Sequence, residues 1–385
     1  MSAAERIPLA RPALGAREEE LVLEVIRSGM LSLGPKLGEF EREFAARVGV
    51  GERLVAAVSS GTAALHLAVR ELGWGAGDRV ITTPLSFVAS SNCLLFEGAE
   101  PIFCDIDPAT LTLDPDAVEA ALDERISGLL PVHIFGFPAA IAELERLAAA
   151  RGIGVIEDCA QALGTIDAEG RQAGSRGNPS AFAFYANKQM TTGEGGMLVA
   201  GSDAAGEVAR SERNQGRAPN MKFMDHERLG FNYRITDIQA ALGIAQLERL
   251  DELLAARERI AARYSERFAA IGGAEPGAGD PDDLVLPLSG RDAERRSWFV
   301  YVLRLPKGAD RDDVIAELDR RGIDARPYLP CIHRFTFYAE RGWRQGQFPV
   351  AEDFSRRSLA LPFYPGLPEA WQERVVRELT EILGR

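Results

Sequence analysis

One lysine, Lys188, stands in the run FAFYANKQMTTGEGGML (182–198), between an apolar strand-like segment and a turn broken by Gly193, Gly195 and Gly196. In water a lysine amine is protonated, with a pKa near 10.4. Walled by Phe184, Tyr185 and Met190 beside a bound cofactor, it would shed its proton more readily and become the neutral nucleophile that condenses with an aldehyde. The glycines let the chain turn sharply next to a ligand. A surface turn with an ordinary lysine is the competing account of the same residues.

Two other stretches suit that chemistry. AVSSGTAALHLAV places Ser59, Ser60, Gly61 and Thr62 between a strand end and a helix start. Free amides and the helix dipole there favour an anion, and Gly61 admits a phosphate closely, although a plain helix cap has the same residues. VIEDCAQALG sends Asp158 out of a buried strand with Gln161 one turn on. Asp158 either caps a following helix or pairs with a cationic ring nitrogen and keeps it protonated. Phosphate loop, strand-end aspartate and pocket lysine, in that order, are the parts of a pyridoxal phosphate (PLP) site. No GxGxxG follows the first strand and no GxxxxGK[ST] occurs, which counts against a nicotinamide dehydrogenase or a P-loop enzyme.

The elements that must position these residues read as alternating strands and helices. Apolar runs end near Ser60, Thr83, Asp107, Gly136 and Asp158, followed by SAFAFYA and GMLVA. Continuous apolarity predicts strands covered on both faces, with helices such as 61–72 presenting Leu65, Ala68, Val69 and Leu72 on one stripe. This rhythm predicts a largely parallel sheet whose ligands gather beyond the carboxyl ends of its strands. Residues 234–271 read as one long helix or two abutting ones, opened by a capping box at Thr236 and Gln239. A loop over 272–283 precedes a strand WFVYVLRL, a helix near 311–321 and a closing helix near 368–383. The expected division is a large domain, 1–250, and a smaller αβ C-terminal domain, 251–385.

The 385-residue chain carries 44 basic and 57 acidic residues, net −13, which argues against nucleic acid or an anionic membrane as partner. No apolar run is long enough to cross a membrane, and MSAAERIPLARPALG lacks the pattern of a signal peptide. Cys93, Cys104, Cys159 and Cys331 show no CxxC pairing and are expected to be buried thiols of a cytoplasmic protein.

SSGTAALHLAV, TTPLSFVASSNC, EDCAQALG, NKQMTTGEGGM and GFNYRITDIQAALGIAQLERLD together resemble the sugar-nucleotide aminotransferases of fold-type I, the DegT family. The likeness runs from residues 29–46 to LPFYP at 361–365. It implies a large PLP-binding α/β domain with a mostly parallel sheet flanked by helices, a small C-terminal domain, and a homodimer with shared active sites. By motif position, Lys188 holds the cofactor and shuttles protons, Asp158 pairs with the pyridine nitrogen, and Gln161 lies near the ring hydroxyl. Gly61, Thr62 and Ala63 hold the phosphate, Phe87 covers the ring, and Asn232 of GFNYR reaches the phosphate from the partner subunit. Family members often carry serine where this chain has Ala183, so Ser180, Asn187 or the partner must supply that hydrogen bond. Relatives that deoxygenate sugars tend to replace the lysine by histidine; this chain keeps lysine.

On the substrate side stand His333 of LPCIHRF, Arg217 of NQGRAPN, Tyr185 and Glu194, with Arg234 as a further phosphate candidate. Exposed loop roles for His333 and the two arginines compete. His66 is expected in packing or on a helix surface, while His133 either lines the cleft or only ends a strand. The four histidines have no acidic neighbours at ligand spacing, so no metal is expected. The charge-rich 247–267 reads as a solvated helix face with some dimer contact. The resulting expectation is PLP-dependent transfer of an amino group, with glutamate as donor, to a nucleotide-linked keto-sugar such as a 4-keto-6-deoxy sugar. The alternatives are a sugar deoxygenase or cyclitol aminotransferase of the same fold, or a non-catalytic sugar-nucleotide-binding regulator.

Overall fold

The computed structural model describes residues 6–218, 225–280, 282–291 and 293–385. The first five residues, Asn220 of NQGRAPN and position 281 of the predicted loop lie outside them. The strands are β1 (Val55–Val58), β2 (Arg79–Thr82), β3 (Glu100–Phe103), β4 (Ile126–Leu130), β5 (Gly154–Val155), β6 (Glu157–Asp158), β7 (Ser180–Ala183), β8 (Gly196–Val199), β9 (Tyr301–Arg304) and β10 (Ser358–Leu361). The first helices are α1 (Ala16–Ser28), α2 (Pro35–Val48), α3 (Gly61–Glu71), α4 (Ala89–Phe96), α5 (Pro115–Ala121) and α6 (Ile141–Arg151). After them come α7 (Asp203–Glu212), α8 (Asp237–Glu248), α9 (Leu250–Ala269), α10 (Arg311–Arg320), α11 (Thr336–Glu340), α12 (Pro349–Arg357) and α13 (Glu369–Ile382).

Two four-stranded ladders, β3-β2-β4-β5 and β1-β8-β7-β6, meet where β5 and β6 follow one another with only Ile156 between them. Ile156 N–H still donates to Leu129 O at 2.9 Å, and Val132 bridges Asp158 in parallel. Every pairing is parallel except those of β8, which runs against both β1 and β7. The carboxyl ends of β1, β2, β6 and β7 therefore open on one edge. They deliver Ser60–Gly61, the 83–88 loop, Asp158 and the lysine turn to the same place.

Behind β7, Phe182 and Phe184 pack edge-to-face on Phe40 and Phe44 of α2, with ring centroids 5.1–5.7 Å apart. Each such ring contributes roughly 2–3 kcal/mol through burial, enough to fix the strand that feeds Lys188. Helix α3 is wrapped further than one stripe: Ala63 through Val69 are all buried, because α3 packs against β7 and β8 as well as α4. The long helical region divides at Arg249 into α8 and α9, and the Thr236–Gln239 capping box forms, with reciprocal bonds of 3.2 and 2.9 Å.

The C-terminal strands β9 and β10 pair antiparallel. Their apolar cluster holds Tyr264, Phe268, Leu318 and Leu379, and also admits Ile7 from the other end of the chain. A residue of the expected first domain thus packs with the second. Conversely, Ile332, Tyr338, Phe348 and Phe354 join the cluster beneath the large sheet. All four cysteines are free and buried, and among the described residues no helix is long and apolar enough to cross a membrane.

Candidate active site

The common edge of β1, β2, β6 and β7 holds a cavity of about 420 Å³. At one end lies the start of α3. Ser60 caps the helix, its Oγ accepting from Ala63 N–H at 3.1 Å, so the amides of Gly61 and Thr62 precede the helical bonds, and both residues line the cavity. A Cβ on Gly61 would come within 2.5 Å of Ala183 Cβ, and one on Gly196 within 2.4 Å of Ser60 O. Helix and sheet meet there only because those side chains are absent. Ala63 is corrected by the same geometry: its amide belongs to the cap, and the residue is buried off the cavity lining.

Asp158 lines the cavity from the end of β6. No helix begins after it, so it is not a helix cap; the chain turns instead, with Ala160 N–H on Oδ1 at 3.0 Å. Ser90 Oγ donates to Oδ2 at 2.6 Å and is itself 2.8 Å from Ser86 Oγ. Burial raises the carboxyl's pKa, while the bonds from Ser90 and Ala160 and the charge of Lys188 pull it back. Gln161 is also on the lining; its Oε1 accepts from Phe135 N–H at 2.9 Å, which leaves the amide nitrogen as its free polar end.

Lys188 closes the set. Its N–H bonds Tyr185 O at 3.0 Å in the predicted turn, and Nζ lies 4.1 Å from the centre of the Phe299 ring. Burial, opposed by the charge of Asp158 and aided by that of Arg257, brings the amine down to about 8. Such a drop multiplies the neutral fraction near pH 7 by roughly a few hundred. A cation could not stay there cheaply; a nucleophile can.

The rim is open. Phe87 and Tyr185 line the cavity yet are 61% and 51% exposed, and Glu194 is exposed beside them. Asn187 lines the cavity, whereas Ser180 is buried with its Oγ on Gly174 O, so it is no substitute for the serine missing at Ala183. Asn232 is exposed and outside its own chain's lining, on a bridge to Asn214 between the stacked rings of Phe231 and Tyr233. Arg217 and Arg234 also lie outside the lining, Arg234 donating to Asn214 Oδ1 at 3.1 Å.

Three of the four histidines, His66, His133 and His333, are placed by carboxylates. His333 is neither loop-exposed nor on the cavity wall: it is buried with Nε2 3.0 Å from Glu352 Oε1, which corrects its assignment to the substrate side. His66 bridges Glu97 at 2.7 Å and the Tyr233 hydroxyl at 3.0 Å inside the fold. His133 has the acidic neighbour its sequence context did not show. Nε2 meets Glu157 Oε2 at 3.1 Å, and Nδ1 accepts from Ala139 N–H at 3.0 Å. With Cys159 these form a buried trio within 4.8 Å, but ring and carboxylate are already engaged, Glu157 also accepting from Gly174 N–H at 3.2 Å.

Ser90, Phe299 and Arg257 were missed in the sequence. For Arg257 a signal existed. It falls on the apolar stripe Leu250, Leu253, Leu254, Ile260, Ala261, Tyr264 and Phe268, the buried face of α9.

Several known proteins resemble this chain over nearly its whole length. GDP-perosamine synthase of Caulobacter vibrioides is 37% identical over 389 residues, covering 100% of both chains. The spore coat polysaccharide biosynthesis protein SpsC of Bacillus subtilis is 35% identical over 98% of this chain and 97% of its own. Spr1654 of Streptococcus pneumoniae, solved in its PLP form, superposes with a TM-score of 0.90 at 25% identity, covering 98% of this chain and 99% of that one. The family model described as the DegT/DnrJ/EryC1/StrS aminotransferase family matches residues 12–380, and the chain belongs to that family.

Proposed function

We propose that this aminotransferase binds PLP in the cavity described and transfers an amino group, with glutamate as donor, to a nucleotide-linked keto-sugar. The observation that carries the reading is the desolvated Lys188 amine, on the same cavity as buried Asp158 and the open amides of α3. These residues fit the cofactor: a glycine cradle for its phosphate, a carboxylate for its ring nitrogen, an amine for its aldehyde. PLP, when bound, supplies an electrophilic carbonyl carbon and a ring that accepts electrons.

The chain's own groups do the rest. The Gly61 and Thr62 amides bind the phosphate, with Asn187 beside them. Asp158, steadied by Ser90, holds a proton on the ring nitrogen. Lys188 Nζ would take the proton from the donor's Cα and hold it for return from the same side during the amino transfer, and would run that route in reverse for the sugar. Phe87 covers the ring face and Gln161 lies beside its hydroxyl, while Tyr185 and Glu194 meet the sugar at the rim. Ala63 and His333 are left out because Ser60 and Glu352 already engage them, while Arg217, outside its own chain's lining like Asn232, is kept as a candidate for the nucleotide phosphates of a neighbouring copy's site. The likeness to GDP-perosamine synthase supports a GDP-linked sugar among the substrates to try first.

A second copy of the chain, in the cytoplasm, completes the site with Asn232. The apolar residues Met30, Leu31 and Leu33 after α1 are exposed. Leu31 O accepts from Asp237 N–H at 3.0 Å, and Gln239 on the same helix turn holds Glu194 O at 2.7 Å, which puts that patch next to the cavity rim. Borohydride treatment of the PLP-loaded protein, followed by peptide mapping, is expected to fix the cofactor on Lys188. Incubation of nitrogen-labelled glutamate with a panel of nucleotide keto-sugars is expected to place the label in the product. Unlabelled or deoxygenated products, or normal turnover by Lys188→Ala, would refute the reading.

A further inference from the structure

Arg257 sits midway along α9 and is 3% exposed. A guanidinium stays charged at any physiological pH, so burying one calls for a carboxylate or a dense set of hydrogen bonds. Among the described residues no carboxylate pairs with it. Nη1 donates to Trp298 O at 3.4 Å and Phe299 O at 3.0 Å. Nη2 donates to Asn187 O at 3.4 Å and Lys188 O at 2.7 Å. Four carbonyls from two distant segments converge on one planar fork. One segment is the lysine turn, and the other carries the ring beneath the lysine amine.

We propose that Arg257 is a positioning residue for Lys188, its guanidinium fixing the main chain of the lysine turn against that of Phe299 so that the amine is seated over the ring. The consequence for turnover rests on the functional reading above; the seating of the amine does not. Arg257 also acts through its charge. The charged groups facing the amine are Asp158 from β6, which favours the protonated form, and Arg257 from α9, which opposes it; Tyr185, Tyr328 and Glu194 face the same cavity. Lacking a counter-ion, the guanidinium keeps its full field and presses the amine toward neutrality. A lysine at 257 would keep the cation but lose the fork that reaches both segments at once.

The test uses the full-length chain without cofactor, with Lys188 labelled by a small amine-selective reagent across pH and quantified by peptide mass spectrometry. Arg257→Met removes charge and fork together. Its labelling midpoint is expected to rise by about one pH unit, a tenfold loss of neutral amine near neutrality. Arg257→Lys keeps the cation but not the fork, so its midpoint is also expected to rise, because an amine that leaves its enclosed seat regains solvent, and it is expected to label severalfold faster at high pH. After PLP loading, its kcat is expected to fall about tenfold with an unchanged KM for the donor, as for a group lost only in the transition state. A folded Arg257→Met protein that titrates like the parent overturns the proposal. So does an Arg257→Lys protein with the parental labelling rate, and that variant decides alone if the methionine one does not fold. Absence of cofactor on Lys188 after borohydride would instead overturn the functional reading and leave the labelling result standing.

Discussion

Ser90 Oγ donates a 2.6 Å hydrogen bond to Asp158 Oδ2, so a residue of α4 holds the carboxylate that ends β6. A hydrogen bond to the charged form lowers a carboxyl's pKa, and here it works against the rise caused by burial. Ser90→Ala removes that opposition, so the Asp158 pKa climbs and the carboxylate is lost at a higher pH. The acid limb of kcat/KM against pH is expected to move upward, so that activity is lost at a higher pH than in the parent. An unmoved limb would show that Ser90 has no part in setting the carboxylate.

Lys188 sets stability against function. Its amine titrates near 8 in the folded chain, against 10.5 when free. Between those values the unfolded chain binds more protons, so stability rises with pH across that window. Below 8 the full penalty applies, at most about 3 kcal/mol. In the cofactor-free protein Lys188→Met is therefore expected to be more stable than the parent by about 1–3 kcal/mol at pH 7, an advantage that shrinks above pH 8. Urea unfolding at both pH values checks this, and equal midpoints at pH 7 would contradict it.

Gly61 and Ala183 touch where α3 begins beside the end of β7. A methyl on Gly61 would lie 2.5 Å from Ala183 Cβ, closer than two carbons can sit. Gly61→Ala is expected to cost about 1–3 kcal/mol by overpacking and to weaken PLP binding, since the first turn of α3 must back away. Pairing it with Ala183→Gly makes room and is expected to restore much of both. A double-mutant cycle on stability and cofactor affinity measures the coupling.

The parts of this site that were legible in the sequence are those that terminate elements. Gly61, Asp158 and Lys188 each end or follow a continuously apolar strand, and parallel packing brings such ends together wherever the strands lie in the chain. Residues that reach the site from the side were not legible. Ser90 depends on the rotation of α4 over β6, which no local pattern encodes, and Phe299 on a segment arriving from the C-terminal half. Arg257 was hidden by its charge. Surrounded by acidic and basic neighbours it read as surface, although its spacing from Leu254 and Ala261 put it on the buried stripe. Ala63 erred the other way, because a capped helix spends its third amide on Ser60. His333 has a carboxylate partner, Glu352, that only the folding of α12 brings near.

Asn232 offers the sharpest test of a shared site, since it is exposed and outside the cavity of its own chain. If it reaches the phosphate of a second copy, Lys188→Ala and Asn232→Ala subunits are each inactive or nearly so as homodimers. In a mixed dimer, the subunit retaining Lys188 receives a normal Asn232 from its partner and regains one complete site. The other site carries both defects. Random reassociation of equal amounts makes half of the dimers mixed, each with one intact site of two, so activity is expected to return to about one quarter of the parental value. Sedimentation must show dimers throughout. If the mixture stays as inactive as its components, Asn232 does not serve a neighbouring site, and the shared cavity fails with it.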